Sequence, residues 1–188
     1  MSTLVVTEFI TLDGVVEAPG GEPGHPHSGW AFDFVGPQQM AFKLAEVLAA
    51  DSLLLGRTTY EGFAAAWPER DGEFADKMNA MPKYVVSSTL SEPQWRNTTV
   101  LGGDWVNQVT NLKARDAGPL LVAGSATLVR ELLALGLVDE LRLMVFPVMV
   151  GDGLRCFPDG RERLPFELAE SDAYETGVVL NTYRKVPA

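Results

Sequence analysis

The segment that most constrains the fold is GPLLVAGSATLVRELLALG, residues 118–136, because its two halves have different hydrophobic periods. Residues 120–123 are continuously apolar, which is typical of a strand covered on both faces. The second half has an apolar face at helical spacing, formed by Leu128, Leu132 and Leu135. Gly124 and Ser125 stand between the halves, so the segment predicts a strand, a tight turn and a helix capped by Ser125.

The same alternation of strand and helix patterns runs along most of the chain. Further strand patterns lie at residues 4–12, 52–55, 84–86 and 99–101. Helical patterns follow Pro37, Gly56 and Asp104, and the first of them predicts a buried face of Met40, Leu44, Val47 and Leu48. Only strand patterns remain after residue 140. The order predicts one α/β domain over residues 1–188, with a mixed, mostly parallel central sheet and an antiparallel C-terminal hairpin.

Composition narrows the classes of partner. The chain of 188 residues is 46% hydrophobic and carries a net charge of -10, which argues against nucleic-acid and membrane partners. Cys156 is the single cysteine, and the N-terminus lacks the features of a signal peptide, so we expect a cytoplasmic protein. His25 and His27 have no other histidine or nearby cysteine to join them, so we predict no metal site.

Gly56, Arg57 and Thr58 lie where a predicted strand passes into a helix, within LLLGRTTYEGF. Thr58 and Glu61 have the spacing of a capping box, which would explain the threonine by itself. Arg57 is not explained by capping, because the positive end of the helix dipole disfavours a cation there unless an anion binds. The segment is therefore open to two interpretations, a capped turn and a phosphate site.

Two further predicted strand ends have the same character. Ser87 and Ser88 follow one strand, and Gly124, Ser125, Ala126 and Thr127 follow another without a bulky side chain. Ligands of open α/β sheets bind beyond the carboxyl ends of the strands. No G-x-G-x-x-G follows the first strand and no phosphate-binding G-x-x-x-x-G-K-[ST] is present. A dinucleotide would therefore be held by a sheet of another kind.

These motifs, in this order, resemble the dihydrofolate-reductase-like superfamily. The Leu-Asp-Gly that ends the first strand and the segment FPVMVGDGLRCF at 146–157 are similar to the C-terminal reductase domain of the bacterial riboflavin-biosynthesis deaminase-reductase and its stand-alone relatives. The resemblance implies a three-layer fold with helices on both faces of the sheet. It also implies NADPH as cofactor, a small heterocyclic substrate and a homodimer.

The resemblance also assigns residues to the cofactor. Gly56, Arg57 and Thr58 match the segment that meets the adenosine-side phosphates, and Ser87 and Ser88 match the segment near the ribose 2′-phosphate. The turn under the pyrophosphate matches Gly124, Ser125, Ala126 and Thr127. Arginine and hydroxyl donors suit an extra phosphate, which favours NADPH over NADH.

Candidates for the catalytic side are a loop carboxylate and the groups around it. Asp13 and Asp33 are the predicted catalytic residues, and an Asp-Gly turn that closes the first strand is the alternative, and favoured, explanation of Asp13. Predicted substrate-binding residues are Trp30, Phe32, Gly151 and Asp152, with core packing as the alternative for the aromatic pair.

The sequence thus predicts an NADPH-dependent reductase of a small nitrogen heterocycle, a pterin or a pyrimidine. It would resemble the 5-amino-6-(5-phosphoribosylamino)uracil reductase of the riboflavin pathway. The alternative is a dinucleotide-binding module without turnover, acting as a sensor or a dimeric interaction protein.

Overall fold

A computed structural model describes residues 1–115, 117–157 and 163–186 of the chain. The strands within these residues are β1 (Leu4–Thr11), β2 (Ser52–Gly56), β3 (Lys83–Val86), β4 (Thr98–Leu101), β5 (Leu120–Ala123), β6 (Glu140–Phe146), β7 (Phe166–Ala173) and β8 (Val179–Lys185). The helices are α1 (Pro37–Ala49), α2 (Arg57–Ala66), α3 (Glu73–Ala80), α4 (Trp105–Lys113) and α5 (Ala126–Ala134). A short 3-10 helix at Phe32–Phe34 precedes α1.

All eight strands form one sheet in the order β4-β3-β2-β5-β1-β6-β8-β7. Neighbours from β4 to β6 are parallel, whereas β8 is antiparallel to β6 and β7 is antiparallel to β8. The predicted mixed sheet with an antiparallel C-terminal hairpin is confirmed. The carboxyl ends of the parallel strands meet at one edge, which is where the predicted ligand segments lie.

The helices cover both faces of the sheet. Side chains of α4 and α5 pack with Leu4 and Val6 of β1 in one buried cluster. Side chains of α1, α2 and α3 pack with Val5 in a second cluster. Because successive residues of a strand point to opposite faces, the two clusters lie on opposite sides of the sheet, and the fold has three layers.

The inward face of α1 differs from the prediction. Met40 is 54% exposed and Leu48 is 39% exposed, while Gln39, Glu46 and Val47 are buried. Glu46 pairs with Lys43 of the same helix and with Arg142 of β6, and 3.0 Å separates Arg142 Nη1 from Glu46 Oε1. Because of these ion pairs, polar residues of α1 face the sheet. A prediction that relies on the spacing of apolar residues does not detect such a polar face.

The C-terminal hairpin consists of β7 and β8, and β7 is the edge strand on that side of the sheet. Every residue of β7 except Phe166 is exposed, and a register shift interrupts its pairing with β8 between Leu168 and Glu170. Among the described residues, no helix is long and apolar enough to cross a membrane.

Candidate functional site

The three predicted ligand segments follow strands that are neighbours in the sheet. β2 lies between β3 and β5, so Gly56 at the end of β2 stands between the segments that begin at Ser87 and at Gly124. All three strands are parallel and end at the same edge. The fold therefore places side by side the three segments that the sequence separates.

Ser125 ties two of these strand ends together. Its Oγ accepts a hydrogen bond from the amide of Gly56 at 2.8 Å and donates one to Thr59 Oγ1 at 2.7 Å. A Cβ added at Gly56 would lie 2.8 Å from this Oγ, so only glycine allows the close approach. Ser125 adopts a left-handed φ of 73° directly after Gly124 at 78°. Such backbone strain persists where surrounding contacts impose it, and it is common at functional sites.

Ser125 holds the predicted N-cap position of α5 but does not cap the helix with its side chain. Its hydroxyl is directed at β2 instead. Amide groups in the first turn of a helix have no partner within the helix. Because Ala126 is small and Gly124 has no side chain, these amides stay accessible to an anion at the end of β5.

Helix α2 begins differently from the predicted capping box. It starts at Arg57 with Gly56 as N-cap, and no side chain caps it. Thr58 is therefore the second helical residue, and because it lies inside the helix it does not occupy the N-cap position. Its side chain is exposed. Glu61 pairs with Arg57 instead, with 2.7 Å between Oε1 and Nε. The capping-box interpretation was wrong because the helix begins one residue before Thr58, and glycine offers no capping oxygen.

Arg57 connects the ligand segment at the start of α2 with the ligand segment that follows β3. Its Nη1 donates to Thr89 Oγ1, in the turn that follows β3. Within that turn, Ser87 Oγ accepts from the amides of Thr89 and Leu90 at 3.2 and 3.0 Å, and Ser88 is exposed. The guanidinium is about half exposed, with a side-chain exposure of 49%. A cation held between two strand ends and still open to solvent suits a bound phosphate.

Asp13 serves as a link between two loops. Its Oδ1 accepts from Thr11 Oγ1 at 2.6 Å, and its Oδ2 accepts from the amide of Gly151 at 2.8 Å. These hydrogen bonds, that of Thr11 foremost, lower the pKa of the carboxyl. The carboxylate is therefore ionised at neutral pH, which favours a structural or base role over proton donation. Its catalytic role stays a prediction.

The remaining predicted residues divide between core and surface. Trp30 is 5% exposed, donates from Nε1 to the carbonyl of Glu17 at 2.8 Å, and packs edge-on against Phe146. Phe32 is 61% exposed, and Asp33 and Asp152 are exposed as well. Trp30 thus has the packing role that the sequence left as its alternative, while contact of any of these residues with a substrate stays a prediction.

Polar side chains that the sequence reasoning missed lie beneath α1. Lys43 Nζ donates to Thr7 Oγ1 of β1 at 3.0 Å. Gln39, one turn earlier on the helix, is 2% exposed, and its Oε1 has no hydrogen-bond partner among the described residues. An aromatic cluster that includes Trp30 and Phe146 lies on the same side of the sheet. Polar groups beside aromatic rings suit a flat heterocycle.

Glu8 was also missed, although it lies in the middle of β1. The residue is 4% exposed, and its Oε1 has no hydrogen-bond partner among the described residues. Burial raises the pKa of Glu8 to about 8, against the opposing charge of Lys43. A charged residue at an inward position of an apolar strand was the signal available in the sequence.

Comparison with known families and structures identifies the fold. The model of the family described as RibD C-terminal domain matches residues 2–180. The chain belongs to the RibD C-terminal domain family. Among relatives of this RibD C-terminal chain, the uncharacterized protein YyaP of Bacillus subtilis is 26% identical over 189 residues, covering 96% of this chain and 93% of YyaP.

Solved structures agree with the family assignment at the level of the fold. A protein of Shewanella sp. PV-4 named for riboflavin biosynthesis is 22% identical, with full coverage of both chains and a TM-score of 0.78. The dihydrofolate reductase of Enterococcus faecalis, in complex with NADP(H) and RAB-propyl, is 18% identical with a TM-score of 0.66. That match covers 98% of this chain and 97% of the reductase. The RibD C-terminal chain therefore has the dihydrofolate-reductase-like fold that its sequence motifs predicted.

Proposed function

We propose that this protein is an NADPH-dependent reductase of a small nitrogen heterocycle. The observation that carries the proposal is the joining of three neighbouring strand ends. Ser125 bonds the end of β5 to the end of β2, and Arg57 bonds the start of α2 to the turn after β3. Two uncapped helix starts and one solvent-accessible guanidinium converge there, which suits the several phosphates of a dinucleotide.

Family membership and fold support the reductase class. RibD C-terminal domains and dihydrofolate reductase share this architecture, and the reductase of Enterococcus faecalis is in complex with NADP(H). Bound NADPH would supply the hydride. The amides that begin α5 would hold the pyrophosphate, and Arg57 with the hydroxyls of Ser87 and Ser88 would hold the 2′-phosphate.

The substrate would bind on the α1 side of the sheet. Lys43, bonded to Thr7, provides a cation that can orient a carbonyl or phosphate, and the amide of Gln39 offers hydrogen bonds to a ring. The aromatic cluster would exclude water from the reacting atoms. This combination favours a pterin or pyrimidine, including one like 5-amino-6-(5-phosphoribosylamino)uracil.

The test is cofactor binding by wild type and by Arg57→Ala. Dissociation constants for NADPH and NADH would be measured by quenching of tryptophan fluorescence. We expect wild type to prefer NADPH, and Arg57→Ala to lose most of that preference, about tenfold or more, because the contact is charge-assisted. Arg70→Ala is the matched control, since Arg70 stacks on Trp67 and belongs to none of the three predicted ligand segments.

Two results would contradict the proposal. Absence of NADPH binding to wild type at millimolar concentration would overturn the cofactor assignment. Equal losses of NADPH and NADH affinity in Arg57→Ala would overturn the placing of the 2′-phosphate at Arg57.

The alternative, a dinucleotide-binding module without turnover, is favoured by the engagement of Asp13 with backbone amides. It predicts NADPH binding but no oxidation with any compound of a panel of pterins, folates, flavins and pyrimidine ribotides. Oxidation of NADPH with one member of the panel decides for the reductase.

A further inference from the structure

The first strand extends past its neighbour at the edge where the predicted ligand segments lie. β1 pairs with β5 only as far as Thr7, opposite Ala123, but stays paired with β6 through Thr11. Glu8 is therefore the first residue of β1 beyond the end of β5. The Gly124–Ser125 turn leaves the sheet directly beside it. We call the space bounded by residues 8–11 and by this turn the strand-end notch.

The side chain of Glu8 points to the face of the sheet that α5 covers. Val6 and Ile10, the residues two before and two after it in β1, both belong to the cluster that packs under α4 and α5. Ala126, the first residue of α5, belongs to the same cluster. Glu8 thus lies on the α5 side of the sheet, just beyond the end of β5.

Among the described residues, the charged and titratable groups around Glu8 include none that is bonded to its Oε1. Lys43 acts on it from α1, but its Nζ is bonded to Thr7 Oγ1 and paired with Glu46 on the opposite face. Cys156 is its buried titratable neighbour, and burial and Glu8 both raise the pKa of that thiol. Arg130, which acts on Cys156 from α5, donates to the carbonyl of Arg155.

A buried carboxyl in this setting has one favourable chemical state. The ionised form would have very little solvent and no bonded cation among the described residues, so the group is mainly neutral at neutral pH. A neutral carboxyl is a hydrogen-bond donor, and a buried donor without an acceptor is costly. Glu8 Oε1 has no hydrogen-bond partner among the described residues, so an acceptor from a ligand would satisfy a proton on that oxygen.

We propose that Glu8 is a cofactor-contacting residue whose protonated carboxyl donates a hydrogen bond to the dinucleotide in the strand-end notch. The inference rests on the proposed function, because the Gly124–Ser125 turn is its pyrophosphate site. The proton stays on Glu8 throughout and no bond is made or broken. Loss of that proton would remove the donor and place a negative charge beside the phosphates, so binding of the cofactor is linked to protonation of Glu8.

The experiment compares NADPH affinity at about pH 7 and pH 9 for wild type, Glu8→Gln and Glu8→Leu. With one proton bound and a pKa of about 8, wild-type affinity falls about tenfold across this range. Glu8→Gln keeps a neutral donor at every pH and lacks this fall. Glu8→Leu has no donor, so it binds about three- to tenfold more weakly at about pH 7 and also lacks the fall.

Val6→Ala is the matched control, because Val6 is buried on the same face of the same strand, lies outside the strand-end notch and carries no charge. It should keep the wild-type pH dependence. A second readout is the carboxyl carbon signal of Glu8 in NMR, whose titration should move to higher pH when NADPH is added.

The outcomes separate the two proposals. If NADPH binds wild type, Glu8→Gln and Glu8→Leu with the same affinity and the same pH dependence, Glu8 does not contact the cofactor and the inference is overturned. An unchanged Glu8 titration on adding NADPH has the same meaning. If NADPH does not bind wild type at either pH, the proposed function fails, and this inference fails with it.

Discussion

Replacing Glu8 with glutamine should change how the stability of the protein depends on pH. The pKa of Glu8 is raised by burial from 4.5 to about 8, so the folded chain keeps a proton that the unfolded chain releases. Stability therefore falls as pH rises from the unfolded pKa to the folded one. In Glu8→Gln this contribution is absent, because an amide does not titrate.

The size of the effect follows from the two pKa values. Linkage of one proton gives a cost of about 2 kcal/mol at pH 6 and about 4 kcal/mol at pH 8. The free energy of unfolding of Glu8→Gln relative to wild type should thus rise by about 2 kcal/mol between these two pH values. The absolute difference at one pH is less informative, since a buried amide without partners has its own cost, about 1–3 kcal/mol.

The measurement is urea unfolding followed by tryptophan fluorescence at several values between about pH 6 and pH 8. All other titrating groups are shared by the two proteins, so the difference between them isolates Glu8. A difference that stays constant within about 0.5 kcal/mol across this range would refute the reasoning. It would mean that Glu8 is hydrated or has a partner in solution.

Two further perturbations test other parts of the structure. Ser125→Ala should lower the free energy of unfolding by about 1–2 kcal/mol in urea, because it removes the bonds to Gly56 and Thr59; an unchanged stability would contradict this linking role. Lys83 is fully buried beside Trp95, and burial lowers its pKa to about 8. Because the unfolded chain holds that proton to higher pH, wild type should gain stability, by up to about 3 kcal/mol, between about pH 8 and pH 10.5. Urea unfolding at these pH values should show no such gain in Lys83→Met, and a parallel rise in both proteins would contradict the assignment.

The alternation of strands and helices was predictable because it depends on local patterns. Continuous apolar runs marked β2 and β5, and helical spacing marked α5, as the structure confirms, although Leu135 of the predicted buried face is the C-cap and is 47% exposed. The position of Asp104 before α4 was likewise recognisable, and its side chain accepts a hydrogen bond from the amide of Asn107. Each of these features is set by residues within one or two turns of chain.

Predictions failed where a side chain has a distant partner. Thr58 and Glu61 have the spacing of a capping box, but α2 begins at Arg57, which pairs with Glu61 and is bonded to Thr89, 32 residues along the chain in the turn after β3. The stripe of α1 that faces the sheet is polar because Glu46 pairs with Arg142, which is far away in sequence. Local spacing contains no information about such partners.

Glu8 and Ser125 show how local preference and tertiary demand diverge at the proposed site. Serine disfavours a left-handed φ and glutamate disfavours the interior of a sheet, yet Ser125 follows the carboxyl end of β5 and Glu8 lies in β1 just beyond that end. The fold compensates Ser125 with two hydrogen bonds, and it leaves Glu8 Oε1 with none among the described residues. Departures from local rules that the protein itself does not compensate are expected at functional sites. By this reasoning, the uncompensated residue is the stronger indication that a ligand completes this edge of the sheet.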